Sequence, residues 1–433
     1  DRPLPTTTFS PSRQTSADAS SDLGPTDWAQ FRGPDNLRAP NATVPLEWND
    51  TQNLAWKKEL PGPGSSSPIV VGNRVIVTCY SGYGIDAQDP GDPSNLKRHI
   101  LCLDRANGKE LWSREVASNG NEDAYRGYLT EHGFASHTPV SDGKSVFVFF
   151  GKSGVYAYSL DGLEIWHADV GQRSDSRQWG SSASPVLWED TVIVNAASES
   201  RAVVALDKET GKEVWKAEAE SLDLSFGTPV PVHLDDGRCE LVLCVPGELW
   251  GLDAVAGTLN WFAKVPMTGN VSPSVTIQEG IVYATGGYRG RGTVAVEAGG
   301  QDDVTDSHTR WSVRVSSYVP SPVWHEGHLY WVDNRGIAIC LDAKTGKRVY
   351  QRRIAMDGRG GNPIYASPLL VRDKLVVVTR TAGSVILAAQ PEFAQLHINQ
   401  LSDESQFNAT PAVSGNNLFL RSNLAIYCIG AAD

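Results

Sequence analysis

The stretch Leu206-Asp207-Lys208-Glu209-Thr210-Gly211-Lys212-Glu213-Val214-Trp215 decides the fold. It has the pattern of a strand end, a tight turn and a second strand that leads into Trp215. The Asp207 side chain can cap the turn, and Gly211 supplies the positive φ that such a turn needs. Trp215 offers a large apolar anchor on the returning strand. The stretch therefore predicts a β-hairpin.

This hairpin recurs along the chain, at residues 103–112, 160–166, 252–261 and 341–350, and across an inserted segment at 296–311. A Ser or Thr followed by Pro and an apolar run repeats in step with it. These landmarks are Ser67-Pro68, Thr138-Pro139, Ser184-Pro185, Thr228-Pro229, Ser272-Pro273, Ser321-Pro322, Ser367-Pro368 and Thr410-Pro411. Six of the seven intervals between them fall between 43 and 49 residues. A period near 45 residues with several short strands per unit is typical of four-stranded propeller blades.

Eight landmarks predict an all-β, eight-bladed β-propeller of four-stranded antiparallel blades over residues 28–433. The last unit stops after its third strand, at Leu424-Ala425-Ile426-Tyr427-Cys428. A fourth strand is available near the other end of the chain, as Asn53-Leu54-Ala55-Trp56-Lys57. We therefore predict that this N-terminal strand joins the last blade, which removes an open edge. Residues 1–27 are rich in Ser, Thr, Pro and Asp, and are predicted to form a disordered tether.

Composition narrows the class of protein. The net charge of −12 over 433 residues argues against a nucleic-acid binder, which would need a basic footprint. No apolar run is long enough to span a bilayer as a helix. The chain begins without Met, consistent with removal of a signal peptide, although a trimmed chain would begin in the same way. We expect an exported monomer, periplasmic or extracellular.

The six cysteines show no paired spacing. Cys102, Cys340 and Cys428 stand two residues before the Asp position of the repeat, where other units have Ala or Gly. This position therefore suits a small buried side chain, and packing is the favoured interpretation. Cys79 and Cys102 flank the loop of the first blade, so a disulfide between them is the alternative.

The repeat from Ala205 through Asp207, Thr210-Gly211-Lys212 and Trp215 resembles the tryptophan-docking motif of the quinoprotein alcohol dehydrogenase propellers. That motif is shared by PQQ-like repeat proteins, including the outer-membrane assembly lipoproteins of the BamB type. The resemblance covers about residues 54–430. Trp28-Ala29-Gln30-Phe31-Arg32-Gly33-Pro34, Tyr80-Ser81-Gly82-Tyr83-Gly84 and Glu131-His132-Gly133 resemble an uncharacterised group of PQQ-like proteins from planctomycete bacteria. The resemblance implies the propeller fold and export.

The resemblance to the quinoprotein dehydrogenases would imply PQQ and Ca²⁺ in the axial funnel of this propeller. Those enzymes carry two adjacent cysteines over the cofactor, and no two cysteines are adjacent here. Their Glu, Asn and Asp calcium ligands also lack matching local motifs. No cofactor is therefore expected, and PQQ with calcium is the alternative.

Basic and acidic residues occupy different loops of the predicted blades. In the predicted blade plan, the loops joining second and third strands carry bases in seven blades of eight. Acidic residues populate the turns between first and second strands. We expect one positively charged, aromatic-lined face that favours an anionic ligand, although solvated hairpin tips would show the same bias. The candidate ligand-binding residues are Tyr80, Tyr83, Arg98, Tyr125, Arg126, Tyr128, Lys152, Arg177, Trp179, Arg289, Arg291, Arg335 and Arg380.

Two further groups of residues in the long connections are candidates for chemistry. Asp86, Asp89 and Asp92 in the first blade could hold Ca²⁺ through oxygen ligands, but a rigid Pro-containing loop is the favoured interpretation. Glu131, His132 and His137 are candidate acid/base residues, with loop anchoring by the histidines as the favoured alternative.

The leading hypothesis is an exported binding or scaffolding module for an anionic small molecule, a glycan or an envelope protein. The alternative is a quinoprotein-like oxidoreductase with PQQ or another small cofactor in the axial funnel.

Overall fold

The computed structural model describes residues 6–9, 22–288, 290–356, 364–381 and 383–430. This part of the chain is nearly all β. Its α-helices are single four-residue turns, too short to cross a membrane. They are α1 (Leu129–His132), α2 (Ala197–Ser200) and α3 (Thr305–His308).

Eight four-stranded antiparallel sheets form the blades of an eight-bladed β-propeller, which confirms the predicted fold. Three strands precede the blades: β1 (Thr6–Phe9), β2 (Arg38–Ala39) and β3 (Leu54–Glu59). Blade 1 consists of β4 (Ile69–Val71), β5 (Arg74–Ser81), β6 (Lys97–Asp104) and β7 (Glu110–Ala117). Blade 2 consists of β8 (Val140–Ser141), β9 (Ser145–Phe149), β10 (Val155–Ser159) and β11 (Glu164–Ala168). Blade 3 consists of β12 (Val186–Trp188), β13 (Thr191–Ala196), β14 (Ala202–Asp207) and β15 (Glu213–Glu218).

The later blades follow the same plan. Blade 4 consists of β16 (Val230–His233), β17 (Cys239–Val245), β18 (Glu248–Asp253) and β19 (Leu259–Lys264). Blade 5 consists of β20 (Thr276–Gln278), β21 (Ile281–Gly286), β22 (Gly292–Glu297) and, after the inserted β23 (Asp302–Asp303), β24 (Thr309–Val313). Blade 6 consists of β25 (Val323–His325), β26 (His328–Val332), β27 (Ile337–Asp342) and β28 (Arg348–Arg353). Blade 7 consists of β29 (Leu369–Val371), β30 (Lys374–Val378), β31 (Ser384–Ala388) and β32 (Gln395–Asn399). Blade 8 holds β33 (Ala412–Ser414), β34 (Asn417–Arg421) and β35 (Ala425–Ile429).

The chain divides into two compact units. Unit 1 holds blades 2 to 5, with β1 and the segment Asn121–Ala124. Unit 2 holds blades 1, 6, 7 and 8, with the segment Tyr125–Pro139. Within each unit, neighbouring blades share apolar cores built from the faces of their strands.

The tryptophan of one blade docks on the hairpin turn of the next. Trp215 is fully buried, and its indole N–H donates to the Ala254 carbonyl at 3.2 Å. Gly257 has φ +71, and a Cβ there would lie 2.4 Å from the Trp215 ring, so this turn position requires glycine. The same two contacts join Trp166 to Lys208 and Gly211, and Trp56 to Arg105 and Gly108. The repeat therefore holds neighbouring blades together.

Each docking tryptophan lies opposite a small residue on the neighbouring strand of its own blade. Ala205 pairs with Trp215, and Cys102 pairs with Trp112. All six cysteines are buried and free, so the alternative of a disulfide between Cys79 and Cys102 is wrong. Because a bulky residue would collide with the indole, packing explains the small-residue position.

Trp261 departs from the docking pattern. Its indole N–H donates to the fully buried Glu240 carboxylate at 2.6 Å, within its own blade. Blade 5 replaces the Asp-Gly turn with the insertion that carries β23 and α3, which leaves Trp261 without the usual turn to dock on. Gly251 makes room for the altered ring, since a Cβ there would lie 2.2 Å from the indole nitrogen.

The Ser/Thr-Pro landmarks link the first strands of successive blades. The Ser184 amide donates to the Thr228 hydroxyl at 2.9 Å, and the Ser367 amide to the Thr410 hydroxyl at 3.1 Å. In blade 5, the hydroxyl that accepts from the Thr228 amide belongs to Ser274 and not to the landmark Ser272. The repeated sequence Ser272-Pro273-Ser274 made the two positions indistinguishable by pattern.

The N-terminal strand joins the last blade as predicted. β3 pairs antiparallel with β35, with Trp56 opposite Cys428. Trp56 then docks on the blade 1 turn through Arg105 and Gly108. One strand thus completes blade 8 and ties it to blade 1.

The segment predicted to be a disordered tether makes ordered contacts in two places. β1 pairs antiparallel with β15, from Thr6 opposite Glu218 to Phe9 opposite Trp215. The Asp27 carboxylate accepts from the Gly72 amide at 2.8 Å. Composition alone did not show that an open outer strand accepts the Thr-rich stretch as a fifth strand. Residues 1–5 and 10–21 lie outside the described residues.

Trp215→Ala should lower the free energy of unfolding by about 3–5 kcal/mol, because it empties a buried indole site. Trp215→Phe keeps most of the ring packing and should cost less, since it loses mainly the bond to Ala254. Chemical denaturation midpoints measure both, with the half-buried loop variant Trp179→Ala as a control. Equal stability of the Trp215→Ala and Trp179→Ala variants would contradict the docking role.

Candidate functional site

The aromatic residues predicted to line a pocket pack against one another in unit 2. Tyr80, Tyr83 and Tyr125 surround Phe134, with ring centroids 5.4–5.9 Å from it. The Tyr80 hydroxyl donates to the Gly84 carbonyl at 2.9 Å, and the Tyr83 hydroxyl accepts from the Tyr125 amide at 3.0 Å. Because Tyr80 and Tyr83 are buried, this tyrosine cluster is a small core between two loops.

Glycines in the loop motifs fit against this cluster. A Cβ on Gly133 would lie 2.3 Å from the Tyr80 ring, and one on Gly84 would lie 2.8 Å from Tyr125. Both glycines also have φ near +70, which disfavours any other residue. The motifs Tyr80-Ser81-Gly82-Tyr83-Gly84 and Glu131-His132-Gly133 therefore lock the first blade's insertion to the loop that follows the blade.

Arg98 lies beneath the tyrosine cluster. It is buried, donates to the Phe134 carbonyl at 3.2 Å and stacks over the Phe134 ring at 5.8 Å. Its charge is therefore turned inward to the loop and is not presented to solvent.

Glu131 and Arg380 form an ion pair at 2.7 Å across two loops of unit 2. Arg380 also stacks on Tyr365 at 4.4 Å and donates to the Asn408 side chain at 2.9 Å. Asn408 in turn donates to the Glu131 carbonyl at 2.9 Å. The candidate acid and the candidate ligand-binding base are thus each other's partners.

The two candidate histidines serve the same loop. His132 Nδ1 lies 2.6 Å from the Ser136 hydroxyl, and the His132 carbonyl accepts from Ser65 at 3.0 Å. Burial lowers the pKa of His137 to about 3, with help from the Arg98 and His132 charges, so this imidazole is neutral at physiological pH. These contacts favour the anchoring interpretation. The catalytic role of Glu131, His132 and His137 stays a prediction.

Lys152 is buried in unit 1, and its ammonium group has three oxygen partners. They are the Asn121 carbonyl at 2.9 Å, the Asp123 carboxylate at 3.0 Å and the Ser174 hydroxyl at 2.8 Å. A lysine has three protons to donate, so these bonds use its full capacity. Lys152 therefore joins the loops before and after blade 2.

Arg201 acts similarly between the loops that flank blade 3. It has a left-handed backbone conformation, and its buried guanidinium contacts Asp223 at 2.9 Å and the Ser174 carbonyl at 3.0 Å. The Asp175 carboxylate beside this loop accepts from the Trp179 and Gly180 amides at 2.9 and 3.0 Å. Arg177 stacks on Trp179 at 5.7 Å and is exposed.

The remaining candidates are dispersed. Arg335 is exposed and paired with Asp333 at 2.7 Å. Arg126 and Arg291 are exposed, and Tyr128 is half-buried at the start of α1. Arg289 lies outside the described residues. Within unit 2, the structure brings together the members of the tyrosine cluster with Arg98, and Glu131 with Arg380. Within unit 1, it brings Arg177 onto Trp179.

Glu199 is a buried carboxylate that the sequence did not single out. It lies on α2 and is 2% exposed. The Ser181 hydroxyl donates to its Oε1 at 2.5 Å, and among the described residues Oε2 has no hydrogen-bond partner. Burial raises the pKa of Glu199 to about 7. The surrounding sequence Ala197-Ser198-Glu199-Ser200 has no distinctive spacing, so only the folded environment reveals this group.

A cleft of about 400 Å³ lies beside blade 7 and was also missed. Trp48, Phe407, Asn399 and Asp403 are among the residues that line it. The Asn399 side chain bonds the backbone of Trp48 and Leu46, and the Asp403 carboxylate accepts from the Tyr427 hydroxyl at 2.7 Å. Its polar groups are thus also engaged within the protein.

Two of the three candidate calcium ligands in the first blade's insertion are bonded within their own loop. Asp86 accepts from the Gln88 amide, and Asp92 caps the turn at Ser94, so both carboxylates support their own loop. Across the described ranges, no three His, Cys, Asp or Glu residues are grouped to hold a metal ion.

Comparisons with known proteins agree with the blade plan. The family described as outer membrane protein assembly factor BamB has a model that matches residues 96–352 and 200–433, more than half of the chain. The chain belongs to this family. BamB of Yersinia pestis is 21% identical over 346 residues, which cover 76% of this chain and 79% of that protein.

Two solved structures share the fold of this BamB-family chain. The crystal structure of BamB from Moraxella catarrhalis has a TM-score of 0.57 at 14% identity, covering 86% of this chain and 95% of that one. Quinohemoprotein alcohol dehydrogenase from Comamonas testosteroni has a TM-score of 0.52 at 11% identity, covering 95% and 82%. At these identities, the likeness shows the propeller fold alone.

Glu199→Gln should change how stability depends on pH. The folded pKa of about 7 exceeds the ordinary value of 4.5, so the native stability falls as pH rises between these values and then levels off. The glutamine variant lacks this loss and should gain up to about 3 kcal/mol over the native protein above the window. Denaturation midpoints across the window measure the difference.

The matched control is Glu209→Gln, because Glu209 is exposed and lies in the hairpin turn of the same blade. Its midpoint should follow that of the native protein at every pH. A Glu199→Gln curve parallel to the native curve would contradict the raised pKa.

Proposed function

We propose that this protein is a binding scaffold of the cell envelope that holds another protein against the connections between the second and third strands of its blades. The observation that carries the proposal is the state of the polar groups in and beside these connections. Lys152, Arg201, Arg98 and Arg380 are each bonded to a neighbouring loop. A surface fixed in this way loses little conformational entropy when a partner docks.

Exposed apolar side chains supply the contact points. Ile85, Tyr288 and Leu424 lie in the second-to-third strand connections of blades 1, 5 and 8, and are 54, 54 and 58% exposed. Apolar and aromatic anchors on a preorganised surface are typical of protein interfaces. The BamB family name supports an envelope protein as the partner and export as the route.

The proposal includes only part of the predicted positively charged face. Lys97, Lys152, Arg201 and Arg380 are neutralised by Glu115, Asp123, Asp223 and Glu131. The exposed residues Arg177 and Arg291 would meet an anionic partner surface or a glycan. We propose that binding requires no cofactor and that the protein acts as a monomer.

Site-specific photo-crosslinking tests the proposal. A benzoyl-phenylalanine at position 85, 288 or 424 should give an adduct with an envelope protein in the cells that make this chain. Positions 85 and 424, which both lie in unit 2, should give an adduct with the same one. Positions 163 and 255 carry exposed apolar residues, Leu163 at 68% and Val255 at 49%, beside turns between third and fourth strands. They are the matched controls and should give none.

Mass spectrometry identifies the adduct. Crosslinks only to glycan or lipid, or equal protein adducts from positions 163 and 255, would remove the scaffold proposal. Adducts at 85, 288 and 424 should persist after treatment that removes divalent cations, since the proposed binding uses no metal.

A further inference from the structure

The fourth strand of each blade has an outer edge, and two of these edges are covered by other segments of the chain that the structure describes. β1 lies antiparallel on β15, and β23 lies parallel on β19. In both, pairing begins at the tryptophan of the repeat, Trp215 or Trp261. The residue before the tryptophan is bulged out of register in these strands, which blocks pairing further back. The accepting stretch therefore starts at the tryptophan.

The β19 edge shows how an acidic segment is held there. Asp302 and Asp303 lie opposite Trp261 and Phe262. The Lys264 ammonium contacts the Asp303 carboxylate at 2.9 Å, three residues after the tryptophan. The backbone hydrogen bonds continue past Asp303, because the Val304 amide donates to the Phe262 carbonyl at 2.9 Å. Backbone bonds and one ion pair therefore act together.

β28 in blade 6 offers the same arrangement, and among the described strands none pairs with its outer edge. Tyr350 takes the place of the docking tryptophan, and Arg353 takes the place of Lys264. Arg348, Arg352 and Arg353 are exposed, and they line an open groove along the strand. Within the described ranges, their guanidinium groups donate to the Gln351 side chain and to the Gln351 and Arg335 carbonyls, with no carboxylate partner. β28 is bonded to β27 on its other side.

Other outer strands carry the opposite charge at this position. Glu59, Glu115 and Asp169 stand three residues after the docking tryptophans of β3, β7 and β11. An acidic strand added there would place like charges side by side, which is unfavourable. β24 has one base at this position, Arg314 after Trp311, whereas β28 has two adjacent bases, Arg352 and Arg353. The charge pattern therefore favours β28 for an acidic segment.

We propose that the outer edge of β28 binds an extended acidic segment of a partner protein, which adds to blade 6 as a further strand. The partner's backbone pairs with residues 350–353, and its carboxylates bond Arg352 and Arg353 as Asp303 bonds Lys264. Strand addition supplies the affinity through main-chain hydrogen bonds, and the arginines supply selectivity for acidic side chains. The inference rests on the proposed function, because it takes the partner to be a protein.

A fluorescein-labelled peptide of alternating Asp and Val residues tests this inference on the full chain. Anisotropy should show binding that weakens as ionic strength rises. Replacing each Asp by Lys, or placing Pro at the centre, should abolish binding, because the first reverses the charge and the second removes a ladder bond.

The double variant Arg352→Glu with Arg353→Glu should weaken peptide binding by about tenfold or more, as reversal of two surface charge contacts implies. The matched control is Arg114→Glu, since Arg114 stands two residues after Trp112 in β7 as Arg352 does after Tyr350. It should leave the affinity unchanged. Equal denaturation midpoints establish that both variants are folded.

Amide hydrogen exchange separates strand addition from simple charge attraction. The peptide should slow exchange in residues 350–354 and leave β7 unchanged. Unchanged exchange in β28, equal binding of the Pro peptide or native affinity in the double variant would overturn the inference. If the photo-crosslinked partner is still captured in that case, the scaffold function stands and only the β28 assignment falls.

Discussion

The rest of this structure depends on one contact, in which the indole of one blade packs on the hairpin turn of the next blade. Trp215 fills the space above Gly257 and donates its N–H to the Ala254 carbonyl. Burial of an indole and satisfaction of its one donor occur together, so the contact is both strong and directional. Because the small residue Ala205 lies opposite Trp215, the sheet can hold the ring without strain.

This interlock sets the positions of the loops. Once the blades are held, the connections beside them come close enough to bond one another across long sequence distances. Glu131 meets Arg380, and Arg421 donates to the Ser66 carbonyl at 2.9 Å. As a result, several charged groups of the loops, among them Lys152, Arg201 and Arg380, are bonded within the protein. The groups proposed to meet a partner are the apolar loop tips, the exposed arginines and the outer edge of β28.

The fold could be predicted from the sequence because its determinants are local and repeated. The Asp, Gly and Trp positions lie within about ten residues of one another, and each copy supports the others. Even the closure was predictable, since blade 8 lacked a strand and the sequence around Trp56 matched one. Trp261 is the exception. The insertion in blade 5 replaces the turn on which Trp261 would dock, and the indole bonds to Glu240 instead.

The candidate site was predictable only in part. Counting bases by loop placed Arg98 and Lys152 at the correct ends of their blades but could not show their partners. Phe134 and Asp123 come from segments outside those strands, and pairing across loops leaves no periodic signal. The raised pKa of Glu199 depends on burial, which its neighbours in sequence do not indicate. Local patterns therefore indicated the position of these charges but not whether they face solvent.

The fixed state of the loops is the central claim, and amide hydrogen exchange of the protein alone tests it most directly. The amides of Gly84, Trp179 and Gly180 are bonded to the Pro90 carbonyl and the Asp175 carboxylate. These amides should exchange nearly as slowly as those of the inner strands. The amide of Gly120, which donates to the exposed Ser118 hydroxyl at 3.1 Å, should exchange faster. Fast exchange throughout 82–96 and 171–182 would mean that the loops open in solution, which would contradict a preformed binding surface.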